Sequence, residues 1–291
     1  LTSLTTENIN IDNNSITAVA SNIEQVSYTD ISQNLFQYSE QFDNSYWNKI
    51  GCTIAADSTT APDGTTTADK FISTDASGSY FAVKPATATT GQPYIVSIYA
   101  KAGDTDSLRI TNVSSGATAA WFDLTNGIIE TQNDTASSGN TSTITDVGNG
   151  WYKCTRTFPV TINDVTTYFL FGNNSGDNTT AGPGSNKFIY VWGAQVSDGT
   201  NLTTYSTTTT SILTPRLTGV TRGASGTTAT TASSGGVVTL GSASTTLSAN
   251  ITAAQTYIPL ASLTGVSSSG SAVIGTSNMD LNLSASGTGS V

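Results

Sequence analysis

The stretch from Tyr94 to Gly103, YIVSIYAKAG, constrains this chain more than any other. A strand turns successive side chains to opposite faces, so Tyr94, Val96, Ile98 and Ala100 share one face while Ile95, Ser97 and Tyr99 share the other. Both faces are partly apolar, which is the pattern of a sandwich strand lying under a second layer. Runs of the same kind stand on either side of it: DKFIST, YFAVKP, LRITNV, AAWFDL, IIETQ, TSTITDV, WYKCTRTFPV, TTYFLFG and KFIYVWGAQV. Turn formers separate them, among them Pro62-Asp63-Gly64, Asp123-Leu124-Thr125-Asn126-Gly127 and Gly148-Asn149-Gly150, the last two carrying Asn-Gly steps suited to positive φ. Strands punctuated in this way predict an all-β chain whose centre, Asn34 to Tyr205, is a jelly roll or β-sandwich of about 170 residues. All four tryptophans (Trp47, Trp121, Trp151, Trp192) and both cysteines fall inside that stretch.

Residues 8–26 read NINIDNNSITAVASNIEQV. Ile9, Ile16 and Ile23 are spaced seven apart, and Val19 and Val26 follow the last two by three, which makes an a/d seam. The spacing predicts a short coiled-coil helix with Asn14 or Ser15 as its cap. A helix of about two heptads is marginal alone in water, and β-branched residues at both a and d favour three strands. The expectation is a parallel homotrimer, with a single amphipathic helix packed on its own domain as the alternative. On this reading residues 1–33 are a stalk and 34–205 a jelly roll. Residues 206–291 then form a Thr/Ser/Gly-rich connector and small β module.

That last part has an unusual composition: from Gly223 through Met279 there is no charged residue. An independent soluble domain normally carries a mixed charged surface, so the segment reads as a thin β element within an assembly, with a flexible tail as the alternative. VVTLGS, QTYIPLAS and SAVIG are its candidate strands.

Three resemblances attach to these residues. ITAVASNIEQV resembles the repeated I-x-x-V-A-x-N-I-x-x-V segments in the tail-fibre stalks of tailed bacteriophages. The ordered series NLFxYSExF, APDGTTTADK, YxVSIYAKAG, FDLTNG, VGNGWYKC and VWGAQV is similar to a carbohydrate-binding-like jelly-roll module of phage virion proteins, and spans nearly all of 34–205. LTGVTRGASGTT resembles a motif of small β modules in phage tail proteins. What these resemblances imply is a virion protein of a tail or other exterior appendage, with a lectin-like fold and other virion proteins as partners.

A ligand site has to be argued from the residues. Sugar-binding modules set aromatic faces against the apolar side of a pyranose, framed by Asn, Asp and Gln. The candidates are Tyr46 and Trp47 in DNSYWNK, Trp121 beside the loop 114–120, and Asn173, Asn174, Asp177 and Asn178 in the long polar loop 172–186. For each tryptophan core packing is the competing reading. No cofactor is expected; calcium would be the metal of choice if one bound, through Asp104, Asp106 and Asp177 in loops. Cys52 and Cys154 admit either a disulfide or two buried free thiols.

The chain has no His, which removes Ser-His-Asp, Cys-His and His-ligated zinc chemistry. Glu occurs only at Glu7, Glu24, Glu40 and Glu130, leaving few carboxylates for a glycosidase pair, so no enzyme is expected. Ten Lys plus Arg against 20 Asp plus Glu give a net charge of −10, without the basic patch that nucleic acid requires. No apolar run is long enough for membrane insertion. Two readings from different classes follow: adhesion to host-surface glycan, and a purely structural head fibre, capsid decoration or tail scaffold. A polysaccharide depolymerase is a third.

Overall fold

The structure is a computed structural model. It describes residues 7–11, 14–18, 24–74, 79–83, 93–113, 118–133, 140–158, 168–174, 182–198, 203–218, 220–221, 234, 237–240, 243–252, 254–263, 266, 269–275 and 285–286. Among these there are strands, turns and bends but no helix. The chain divides into two compact units, one of Leu1–Ile31, Arg216–Ser262 and Ser267–Val291, the other of Ser32–Pro215 and Leu263–Val266.

The N-terminal residues depart from the helical expectation. They form β1 (Glu7–Ile11), β2 (Asn14–Ala18) and β3 (Glu24–Tyr28). The seven-residue spacing is used by a hairpin instead of a coiled coil: β1 and β2 are antiparallel with Ile9 in register with Ile16. Val26 lies on β3, whereas Val19 and Ile23 are outside the described residues. The physical reason is local. Ile, Val and Thr are stiff at χ1 and suit a pleated surface better than a helix, and Asp12 and Asn13 between the two strands are residue types that short hairpin connections favour.

The second unit runs from β4 (Asp30–Asn34) through β5 (Asn48–Ile50), β6 (Cys52–Thr59), β7 (Ala68–Ser73), β8 (Ser79–Val83), β9 (Tyr94–Ala102), β10 (Ser107–Val113), β11 (Thr118–Asp123) and β12 (Ile128–Asn133). It continues with β13 (Thr141–Gly148), β14 (Trp151–Phe158), β15 (Tyr168–Asn174) and β16 (Phe188–Asp198). Two six-stranded sheets result, in the orders β12-β11-β10-β15-β8-β5 and β13-β14-β9-β16-β7-β6. One buried cluster draws on both: Leu108, Ile110, Ala120 and Phe122 from the first, and Tyr94, Val96, Ile98, Ala100, Phe71, Cys154, Val191 and Val196 from the second. The alternation of β9 is therefore used as its sequence predicts. Each large side chain so buried contributes about 1.5–3 kcal/mol relative to exposure.

Turn chemistry sets the strand ends. At the β13–β14 hairpin Asn149 and Gly150 both have positive φ, 55° and 77°, which a two-residue connection of this kind demands. At the β11–β12 connection only Gly127 is left-handed, because four residues span the gap and the Gly127 N–H closes onto the Asp123 carbonyl at 2.9 Å. The Asp123 carboxylate accepts from the Thr125 N–H, the Asn126 N–H and the Asn126 side chain. Burial pushes this carboxyl up, but those donors outweigh it and hold it below the usual carboxylate range.

Both cysteines are buried thiols, not joined in a disulfide. Sheet order explains why: β14 and β6 have β9, β16 and β7 between them, so the strands that carry Cys154 and Cys52 are themselves about 19 Å apart, far beyond the roughly 7 Å that a disulfide tolerates.

In the other unit β17 (Leu213–Thr218), which begins at the boundary, pairs through Arg216 and Leu217 with β20 (Ile258–Pro259). The other strands among the described residues beyond β17 are β18 (Val237–Leu240), β19 (Ala243–Thr246), β21 (Gly270–Gly275) and β22 (Ala285–Ser286). Their main sheet has the order β19-β18-β21-β3, so the N-terminal β3 supplies its edge, with Val26 in register with Ala272. Val238, Leu247, Ile251, Ile258, Leu260, Ala272 and Ile274 are buried.

Candidate functional site

The aromatic residues singled out from the sequence serve the interior. Trp47 is 1% exposed; its ring meets Phe36, Phe42 and Tyr46 at 5.1–5.4 Å and its Nε1–H donates to the Tyr38 carbonyl at 2.9 Å. Tyr46 is half-buried beside it. Trp121 is 2% exposed on β11, in register with Arg109, whose guanidinium lies 5.3 Å from the indole. Neither indole offers a face to a sugar. Asn173 and Asn174 are the end of β15, in register with Leu108 and Ser107, so the long loop begins later than its composition implies. Asp177 and Asn178 lie outside the described residues. Tyr46 and Trp47, in the loop before β5, and Trp121, on β11, are not brought into one site. Of the calcium candidates, Asp106 accepts a hydrogen bond from the Thr125 hydroxyl at 3.0 Å, and among the described residues no three acidic or Cys side chains gather at one point.

A different set of aromatics converges on the face of the second sheet that points away from the core. In that sheet, residues directly across neighbouring strands share a face. One row crosses β14, β9, β16 and β7 as Trp151, Lys101, Tyr190 and Lys70. The next crosses β13, β14, β9 and β16 as Thr145, Lys153, Tyr99 and Trp192. Tyr205, from the chain after β16, completes the group. Its ring lies 4.7 Å from Trp192 and 5.8 Å from Tyr99, and Tyr99 lies 5.1 Å from Trp192 edge-on.

The floor of this group is fixed by hydrogen bonds. Trp151 and Trp192 are buried, their indole N–H groups donating to the Thr60 carbonyl at 3.1 Å and the Thr67 hydroxyl at 2.9 Å. The Tyr205 hydroxyl donates to Glu40 Oε1 at 2.8 Å, where the Thr207 hydroxyl also donates at 2.6 Å. A bulge interrupts the β16–β9 register between Trp192 and Gln195, and Gly193 there has φ of 61°. A Cβ at Gly193 would come 3.0 Å from Tyr99 and 3.1 Å from Tyr205, so glycine is what allows the two rings to close over the bulge.

Above that floor the half-buried side chains are Tyr99, Tyr190, Tyr205, Lys70, Lys101 and Lys153. Lys70 Nζ sits 4.3 Å from the Phe188 ring centre and 5.7 Å from that of Tyr190, and Lys153 Nζ 5.5 Å from that of Tyr99. Lys101 Nζ donates to the Asn149 carbonyl at 2.8 Å. Burial pushes the Lys153 ammonium below the usual lysine range and the Tyr99 phenol above its own. Cations over aromatic faces are a favourable arrangement worth about 0.5–2 kcal/mol each. The face thus joins flat apolar rings, phenol hydroxyls and ammonium groups, the chemistry that grips a sugar ring by stacking and its substituents by polar contact.

The sequence carried a signal for this face that DNSYWNK outshone: in YIVSIYAK and FIYVWG the residues out of phase with the core positions are Tyr99, Lys101, Tyr190 and Trp192. What it lacked was the strand order that makes them neighbours.

No protein-family model matches the chain, and no curated protein matches it. Among solved structures it is similar to the enzymatically active domain of tailspike protein 4 of bacteriophage CBA120, with 12% identity and a TM-score of 0.36, over 57% of this chain and 21% of that one.

Proposed function

We propose that the chain is part of the exterior of a tailed-phage virion, as a tail-fibre-like appendage protein with a jelly-roll-type module, and that it contributes to adhesion on host-surface glycan. The virion assignment rests on the ordered motif series from NLFxYSExF to VWGAQV. Adhesion is carried by one observation, the Tyr99–Trp192–Tyr205 ring group with Tyr190 and three lysines around it. Each such contact is weak by itself. Copies displayed on one virion gain through effective concentration, so no deep pocket is needed. Assembly as a homotrimer belongs to the proposal; mass photometry at micromolar concentration checks it, and a monomer there removes it.

The test is binding of the full chain to a glycan array and to host cells, beside Tyr190→Ala and Lys153→Gln. Saturable binding that is weakened at least fivefold in either variant, with an unchanged unfolding midpoint, supports adhesion through this face. The structural reading keeps one observation of its own: Trp47 and Trp121 are committed to packing and leave their loops without an aromatic platform. Absence of binding by the folded chain decides for that reading.

A further inference from the structure

We infer that the face formed by Tyr99, Tyr190, Lys70, Lys101 and Lys153 selects acidic glycans, polysaccharides whose sugars carry carboxylates. The inference rests on the adhesion reading and adds the ligand class to it.

Charge economy points there. The chain holds 10 Lys and Arg against 20 Asp and Glu, yet three of those lysines fall on two adjacent rows of one sheet face. Among the described residues none of the three is met by a carboxylate: Lys70 and Lys153 lie over rings, and Lys101 over the Asn149 carbonyl. Glu40, a carboxylate beside this group, is already engaged by Tyr205 and Thr207. An ammonium has three protons to donate, so Lys101 keeps two and the others all three. In a chain of net charge −10, unpaired cations gathered at one place form a local field opposite to that of the whole molecule.

Spacing fits a polymer better than a single anion. Lys101 and Lys70 flank Tyr190 on either side, which puts their strand positions about 10 Å apart, while Lys153 is diagonal to Lys101. That exceeds the screening length of about 8 Å at physiological salt, so Lys101 and Lys70 address separate charges along a chain. Tyr99 and Tyr190 between them offer ring surface for the sugar, and their hydroxyls hold no protein hydrogen bond among the described residues. The half-buried Lys153 ammonium, held below its usual range by desolvation alone, gains most from an arriving carboxylate.

The experiment compares three immobilised polymers, polygalacturonate, its methyl ester and dextran, with single-stranded DNA as a further polyanion. The proteins are the full chain, the triple variant Lys70→Gln/Lys101→Gln/Lys153→Gln, the three single variants, and Arg216→Gln, which matches each single variant in charge and lies in the other unit. The expected result is at least tenfold tighter binding to polygalacturonate than to its methyl ester or dextran. That preference weakens with added NaCl, is lost in the triple variant and is kept in Arg216→Gln. Should the triple variant unfold early, the three single variants carry the comparison. Equal binding to the ester and the acid overturns the acidic selectivity while leaving adhesion standing. Equal binding to DNA overturns it in favour of plain polyanion attraction. Binding to no sugar and no host cell removes the adhesion reading itself.

Discussion

The ammonium of Lys49 donates to the Asn44 carbonyl oxygen at 2.8 Å, and it also reaches the carbonyls of Phe42, Asp43 and Trp47 at 2.9–3.2 Å. Successive turns, Gln41 N–H to Tyr38, Asn44 N–H to Gln41 and Trp47 N–H to Asn44, aim these carbonyls at one point. One side chain thus closes the loop that seats Trp47. Arg cannot substitute, since its planar fork does not fit converging carbonyls as a compact ammonium does. Lys49→Met and Lys49→Arg are each expected to lower unfolding free energy by about 1–3 kcal/mol, read by urea denaturation. A change below about 0.5 kcal/mol in Lys49→Met would show the carbonyls content with water.

Trp47 tests the same loop from inside. Its indole is wedged among Phe36, Phe42 and Tyr46, so Trp47→Ala is expected to cost about 3–5 kcal/mol. Loss of glycan binding in that variant would report unfolding. Trp47→Phe, which keeps a six-membered aromatic ring but drops the pyrrole ring and its bond to Tyr38, should lose less and leave binding intact. Circular dichroism melts beside the binding assay separate the two, and a stable Trp47→Ala that no longer binds would move the site to this loop.

Where sequence and structure agree, short-range pattern decided the matter. The alternation through Tyr94, Val96, Ile98 and Ala100, the Asn149-Gly150 turn and the spacing of β10, β11 and β12 follow from neighbours in the chain. Trp47 misled because burial depends on what reaches over it, and Lys49 is an ordinary charged residue until its carbonyl partners are known. The isoleucines at 9 and 16 satisfy a heptad and a hairpin register equally well; β-branching at those positions decides for the strand. Tyr99, Lys101, Tyr190 and Lys70 become one surface only through the β9–β16 and β16–β7 pairings, between segments about 90 and 120 residues apart, which no local pattern encodes.

Cys52 and Cys154 give a readout of the core without a new mutation. Burial pushes the Cys52 thiol up to about 11 and the Cys154 thiol higher still, so neither forms thiolate near neutrality. In native protein at pH 8, Ellman's reagent should find no fast-reacting thiol, and in 6 M guanidinium it should find both. Because the two strands lie four positions apart, oxidising conditions should not cross-link them within one folded chain. A rapid native reaction of either thiol would show that the sheet edge at β6 or the strand β14 opens.

Asp69 makes stability depend on pH. Its carboxylate is 1% exposed and accepts the Phe42 N–H and the Asp57 N–H, each at 3.0 Å. The second bond holds Asp57 at its φ of 51° in the bulge between β6 and β7. Burial raises this carboxyl to about 7; the two N–H groups oppose that rise, and the charges of Asp43 and Asp57 add to it. An unfolded aspartate titrates near 3.9, so the folded chain keeps a proton there that the unfolded chain has released. Stability from this group is full below about pH 4, declines through the interval to about pH 7 and is flat above, with a total on the order of 2–4 kcal/mol. Asp69→Asn removes the titration but turns an amide N–H₂ toward one of the two donors, at a cost of about 1 kcal/mol. Denaturation midpoints at pH 4.5, 6 and 8 should therefore fall more steeply with pH for the native chain than for Asp69→Asn, the variant being the less stable at pH 4.5 and the gap narrowing or reversing by pH 8. Parallel profiles would mean that Asp69 is ionised throughout and that the two backbone donors outweigh its burial.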